Sequence, residues 1–229
     1  MLIQSLALTD FRCHASLHLA LQLDAPAGGV ALIGDNASGK TSILEAIYLL
    51  SRGVSFRGSS PSDVIRHGQA HALVVAATQQ NGQSTRLAVQ RSRSGFQARL
   101  DSRSDVTVLD LARAFPVQVM DPRAHRLIDE GPVHRRRMLD WGVFHVEHSF
   151  IQEWRQFQRL LRQRNAACRR GDQAQLRAWN PAFIELGERV DAARQRHLEA
   201  LAGSWRQRVN ILLDGEHRPL IAYRPVWAR

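Results

Sequence analysis

Gly34-Asp35-Asn36-Ala37-Ser38-Gly39-Lys40-Thr41 decides how the rest of this 229-residue chain is read. It matches G-x-x-x-x-G-K-[ST], a loop whose backbone N–H groups cradle nucleotide phosphates, whose lysine reaches the terminal phosphates and whose hydroxyl serves Mg²⁺. Composition singles out the same place. Of 31 lysines and arginines, Lys40 is the only lysine. A surface cation need only be positive, and arginine serves. A slim ammonium threads between phosphate oxygens where a flat, forked guanidinium is too wide. The flanks agree with the loop. Val30-Ala31-Leu32-Ile33 is a continuous apolar run suited to a buried central strand. Ile43, Leu44, Ile47 and Leu50 recur at helical spacing and predict a helix over about 40–51. Its N-terminus adds a positive end to the site. Gly34, Asp35, Asn36, Ala37, Ser38, Gly39, Lys40 and Thr41 are therefore the candidate ATP-binding residues, with Thr41 a candidate Mg²⁺ ligand.

Upstream, Leu2 to Phe11 reads as a strand, and Leu17 to Leu23 alternates with period two as a second. Pro26, Gly28 and Gly29 mark a turn. Downstream, residues 52–70 are irregular. Ala72–Thr78 and Thr85–Arg91 read as strands joined at Asn81-Gly82, a hairpin signal. A short helix over Val108–Ala114 leads to an expected strand, Pro116–Met120. Beyond about residue 121 the texture becomes helical. Phe150, Trp154, Phe157 and Leu161 share one face, while Arg155, Arg159 and Arg162 share another. Asn180-Pro181 reads as a cap and first turn. Leu186, Val190, Ala193, His197, Leu201, Trp205 and Leu212 continue an apolar stripe, so Trp154, Trp205 and His197 are expected to pack in a core. Two amphipathic helices with a short connection predict an antiparallel hairpin. The expected organisation is an α/β phosphate-loop head over 1–120 and a helical, arginine-rich lobe over 121–229.

The net charge is +10. Residues 1–150 contribute 16 cations and 13 anions, residues 151–229 contribute 15 and 8, so the last third carries +7 of the total. That bias suits a polyanion such as nucleic acid, although a solvated helical surface would look the same. No apolar run approaches the roughly 20 residues of a membrane helix. Cys13 and Cys168 stand far apart in no metal-ligand spacing, the pattern of a reduced, cytoplasmic protein. Hydrolysis needs a second acidic residue ending an apolar strand. Ile211-Leu212-Leu213-Asp214 comes nearest, but it closes a helical stripe.

Several runs go further. Asp10-Phe11-Arg12, Thr41-Ser42-Ile43-Leu44-Glu45-Ala46-Ile47, Ser55-Phe56-Arg57, Val64-Ile65-Arg66-His67-Gly68 and Pro116-Val117-Gln118 fall at near-regular spacing. The most specific are Gly131-Pro132-Val133-His134-Arg135-Arg136-Arg137-Met138-Leu139-Asp140-Trp141-Gly142 and Leu160-Leu161-Arg162-Gln163-Arg164-Asn165-Ala166-Ala167. Together they resemble the RecF family of bacterial DNA replication and repair proteins, ABC-type ATPases related to the Rad50 and SMC heads. The resemblance covers residues 1 to about 167. It implies an ABC-type head with a mixed sheet around the phosphate loop, and ATP and Mg²⁺ as ligands. It implies binding to single-stranded or gapped DNA in recombinational repair and the SOS response. A RecR-type mediator would be a partner, and ATP would clamp two heads into a homodimer.

By the same resemblance Gln118 would contact Mg²⁺ and the attacking water, and Arg12 would lie near the nucleotide. Arg57 would reach nucleotide or DNA. Arg135, Arg136 and Arg137 would form a DNA or interface patch, unless Arg136 or Arg137 simply pairs with Asp140 one turn on. Full-length members continue past the point where this chain stops, and carry the signature and acidic strand there. Neither is visible before Arg229, so ATP binding without hydrolysis is expected. A phosphate-loop small-molecule kinase, or a non-functional remnant, would also carry the loop.

Overall fold

The computed structural model describes residues 1–21, 29–58, 60–122, 126–147, 149–215 and 220–225. The chain divides into two compact units, Met1–Met120 and Asp121–Arg229. In the first, β1 (Leu2–Phe11), β2 (His14–Ala20), β3 (His71–Gln80), β4 (Gln83–Ser92) and β5 (Phe96–Leu100) form one sheet in the order β2-β1-β3-β4-β5. Every neighbouring pair is antiparallel. The β3–β4 turn is the expected Asn81-Gly82, with φ of 51° and 80°, the left-handed pair a tight hairpin demands. Period-two alternation buries Ala72, Val74, Ala76 and Thr78 on one face of β3. Helix α1 (Lys40–Arg52) packs on that face through Ala46, Leu49 and Leu50, beside Leu6, Leu8 and Phe11 of β1. Helix α2 (Val108–Ala114), which adds Leu111, starts at Thr107, whose side chain accepts from Asp110 N at 3.2 Å in a capping box.

Two expectations for this unit fail. Val30–Ile33 is not a strand: Val30 is 49% and Ile33 94% exposed, and no described residue forms a ladder with them. A central strand exists only through neighbours on both sides, which hydrophobicity alone does not supply. Pro116–Met120 forms no strand either, for the same reason, and Met120 is 89% exposed. Conversely, β5 was not foreseen, because Phe96-Gln97-Ala98-Arg99-Leu100 is too polar to stand out until β4 offers an edge. The expected turn at Pro26 and Gly28, and Leu23 of the expected second strand, lie outside the described residues.

The second unit is helical: α3 (Arg126–Asp129), α4 (Pro132–Val146), α5 (Phe150–Arg170) and α6 (Gln173–Leu212). Gly171 in left-handed conformation ends α5, and the Asp172 side chain caps α6 by accepting from Gln175 N at 3.0 Å. The two helices run antiparallel, as successive cross-ties show: Arg164 Nε donates to Asn180 at 3.1 Å, Phe157 stacks on Phe183 at 5.2 Å, and Arg189 pairs with Glu153 at 3.7 Å. Asn180-Pro181 is therefore not a helix start. Pro181 lies inside α6, and Asn180 is spent on α5. The turn at Gly171-Asp172 supplies the stop and start signals eight residues earlier.

Helix α4 joins α6 through a largely buried polar network. Arg194 donates to both Asp140 oxygens at 2.7 and 3.0 Å and reaches Asp191 at 3.4 Å, and Trp154 Nε1 donates to Asp140 at 3.0 Å. Tyr223 donates to Asp191. Burial works to lower the Arg194 pKa, but the hydrogen bonds it donates to Asp140 and Tyr223, with the Asp140 charge, outweigh it and raise it. Asp140 thus takes Arg194 rather than Arg136 or Arg137. His197 does pack: a Cβ at Gly142 would lie 2.1 Å from its Nε2, so any larger residue there must displace the imidazole, and burial pushes the imidazole pKa down. Trp205 does not, at 45% exposed, since α6 extends beyond the part that α5 covers. Ile211–Asp214 closes α6 as a helix end and turn. We predict that Arg194→Met, which leaves two carboxylates without their cation, lowers stability by about 3–5 kcal/mol. Urea unfolding followed by tryptophan fluorescence measures it.

Candidate nucleotide-phosphate site

The loop ahead of α1 is held in a shape few residues tolerate. Gly39, the N-cap, has φ 93° and ψ 6°, and Ala37 has φ 65°. A Cβ at Gly39 would lie 2.5 Å from His14 Nε2 and 2.7 Å from Cys13 Sγ, so the loop seats directly on the β1–β2 turn. A glycine N-cap has no side chain to satisfy the first-turn N–H groups, and that turn carries no acidic residue. Helices α2 and α6, by contrast, are capped by Thr107 and Asp172. The N-terminus of α1 is thus left with donors and a positive dipole end for an external anion.

Lys40 Nζ donates to the carbonyls of Gly34 at 2.7 Å and Asp35 at 2.6 Å, folding the side chain back over its own loop. A cavity of about 540 Å³ opens here, lined by Asn36 to Ser42 with Arg12, Cys13, Arg57, Asp63 and Ile65. Its charged lining is Arg12, Lys40 and Arg57 against Asp63. Asp63 is already engaged, accepting from Ser60 N at 2.9 Å in the capping box of the short 3₁₀ turn Pro61–Val64. Cation excess, free helix donors and a size within the usual 300–1,000 Å³ of small-molecule sites fit a phosphorylated ligand. The groups able to hold a nucleotide and its Mg²⁺ are the loop N–H groups, the Lys40 ammonium and the Thr41 hydroxyl.

Of the loop, Asn36 to Thr41 line the cavity, with Arg12 and Arg57 beside them, while Gly34 and Asp35 meet Lys40 through their carbonyls. Gln118 does not join them: it is exposed and is not among the lining residues. Its expected strand has no ladder to aim it. Arg135 is not simply a surface cation, because its Nη1 donates to the carbonyls of Leu127, Ile128 and Glu130 at 2.9–3.3 Å, closing the end of α3. Arg136 is half-buried and Arg137 exposed on α4. One residue escaped sequence reasoning: Glu45, a fully buried carboxylate on α1 that receives Arg12 and Ser55. A charged residue amid Ile43, Ala46 and Ile47 was the available signal. We expect Gly39→Ala to destabilise the first unit by about 1–3 kcal/mol from backbone strain alone, read as a lower thermal midpoint.

Comparison with known proteins agrees with this geometry. Residues 30–79 match a family model described as AAA domain, putative AbiEii toxin, Type IV TA system. The chain is 38% identical over 204 residues to the DNA replication and repair protein RecF of Yersinia enterocolitica, covering 88% of this chain and 55% of that protein. It is 41% identical over 174 residues to RecF of a Marinomonas species, covering 74% and 47%. The chain thus spans about half the length of these curated relatives. Among solved structures, that of the recombination mediator protein RecF-ATP in the RecFOR pathway superposes with TM-score 0.80 at 23% identity, over 93% of this chain and 58% of that one. A Pyrococcus furiosus Smc head domain with an extended coiled coil, bound to the C-terminal domain of ScpA, superposes with TM-score 0.50 at 16% identity, over 90% and 64%. The fold is that of an ABC-type phosphate-loop head.

Proposed function

We propose, from the premise that this chain is a RecF relative over most of its length, that it binds ATP and works in DNA replication and repair. The carrying observation is the uncapped N-terminus of α1 joined to Lys40 and two arginines on one cavity. In this proposal residues 34–41 hold the triphosphate and Thr41 offers its hydroxyl to Mg²⁺, which would neutralise phosphate charge. Arg12 and Arg57 add cations from the opposite strand turn and the following segment. Among the described residues, the one carboxylate lining the cavity is the cap-engaged Asp63. ATP binding is the activity proposed for this chain.

The second unit supplies the polyanion surface. Arg155, Arg159, Arg162, Arg169 and Arg170 of α5 are all exposed. Single-stranded or gapped DNA is the proposed partner, in recombinational repair and the SOS response. The RecR-type mediator and an ATP-clamped homodimer follow from the relationship to RecF, and the cytoplasm is the proposed location. No helix among the described residues is long and apolar enough to cross a membrane.

Lys40→Arg keeps the charge but widens the head group, and loses ATP binding in equilibrium titration. Equal affinity in the variant would refute the shape argument. DNA affinity falls with salt by about 0.7–0.9 log units per log unit for each phosphate neutralised, and Arg159→Ala with Arg162→Ala lowers that slope. A slope unaffected by these changes would remove α5 from the DNA surface.

A further inference from the structure

Glu45 has no exposed surface, yet its carboxylate collects most of the polar contacts behind the phosphate loop. Arg12 forks onto it through Nε at 3.0 Å and Nη2 at 2.5 Å, and Ser55 Oγ donates at 2.5 Å. Arg57 Nε stands 3.7 Å away. One buried anion therefore faces two guanidiniums, 18% and 40% exposed at the side chain, and both line the cavity that holds Lys40. A packing role alone would not call for a carboxylate at this position. An apolar side chain of similar volume fills a core at lower desolvation cost.

The backbone of Arg12 points the same way. Its φ is 54°, a left-handed conformation in a residue with a long side chain, within the two-residue turn between Phe11 and His14. Such a conformation persists only where its surroundings over-determine it. Here the Arg12 N–H donates to Val64 O at 2.8 Å and the guanidinium is forked on Glu45. Ser55 carries the same restraint onward, since its Oγ also accepts from Arg57 N at 3.0 Å. The carboxylate thus sets the side chain of one arginine and the backbone of the other.

We infer that Glu45 is a positioning residue that fixes where Arg12 and Arg57 stand in the wall of the phosphate cavity. It acts through them and does not touch the ligand itself. The net effect is a surplus of one positive charge held at a defined place, instead of two mobile cations. This rests on the ATP-binding proposal above. It adds that affinity depends on the charge of residue 45 more than on its volume.

Two substitutions separate charge from volume. Glu45→Gln keeps the size and removes the charge, and Glu45→Asp keeps the charge and removes one methylene. ATP is titrated against the full chain and both variants, well below each thermal midpoint. Glu45→Gln weakens ATP binding about tenfold or more, as expected when charged hydrogen bonds are lost, and Glu45→Asp stays within about threefold. Arg12→Gln, at a partly exposed side chain, weakens binding too, and Arg12→Gln with Glu45→Gln is no weaker than the worse single variant, because the pair acts as a unit. Unchanged affinity in Glu45→Gln, or a larger loss in Glu45→Asp than in Glu45→Gln, overturns the inference. If neither Glu45 variant folds, Arg12→Gln decides it: affinity equal to the parent overturns the inference, and a loss upholds it. Failure of the unaltered chain to bind ATP would instead refute the function proposal.

Discussion

The buried fork between Glu45 and Arg12 joins the three pieces on which the phosphate loop stands. Glu45 belongs to α1, Arg12 to the turn between β1 and β2, and Ser55, the third partner, to the segment after α1. Each piece has its own apolar anchor: Ala46, Leu49 and Leu50 for the helix, Phe11 for the turn, Val64 for the segment. Apolar contacts are non-directional and tolerate small slides. A bidentate contact between charged groups does not, because both hydrogen bonds must stay in plane. Removing either partner would leave the other charged in a poorly solvated place, so the arrangement favours keeping all three pieces in one register. The loop inherits that register, since Gly39 rests on Cys13 and His14 of the same turn.

The phosphate loop, α1 and the Asn81-Gly82 hairpin were legible because each is a local signal. A six-residue spacing, a helical period and a left-handed turn pair all act over a few residues. The observed α1 exceeds its expected end by one residue. What was misread depends on partners remote in sequence. Val30–Ile33 and Pro116–Met120 have the hydrophobicity of strands but no ladder among the described residues, and β5 has the ladder without the hydrophobicity. Asn180-Pro181 mimics a helix start, yet α6 runs through it and gives up the hydrogen bond that residue 181 cannot donate. Trp205 follows the stripe correctly and is still exposed, because periodicity tells which face a residue shares and not whether anything covers it. At the site, the cavity-lining loop was visible in the motif, and Gln118 stands apart from it because its expected strand has no ladder. The buried support at Glu45 showed only as a charge amid Ile43, Ala46 and Ile47, a weak signal because a glutamate in an amphipathic helix usually faces solvent.

The two units solve the same problem with different materials. The first is ordered around an apolar cluster under a sheet, with Glu45 among its few buried charges. The second joins its helices through Arg194, Asp140, Asp191, Trp154 and Tyr223. Such a network contributes less net free energy than an equal volume of leucine. It fixes helix register instead: Arg194 can satisfy both carboxylates only where α4 and α6 meet in one relative position. Gly142 against His197 reinforces that choice sterically.

The folded-back Lys40 has a consequence for kinetics and heat of binding. Its ammonium closes the loop on itself through the Gly34 and Asp35 carbonyls, so the ring is already shaped before an anion arrives. An entering anion does not find a bare cation. To reach Lys40 it would have to replace two internal acceptors, so the heat released would reflect the difference between two sets of bonds. A loop already held in shape would lose little further chain freedom on binding. The lysine is in this sense the loop's own resident ligand, keeping the seat in shape and giving it up to a stronger competitor.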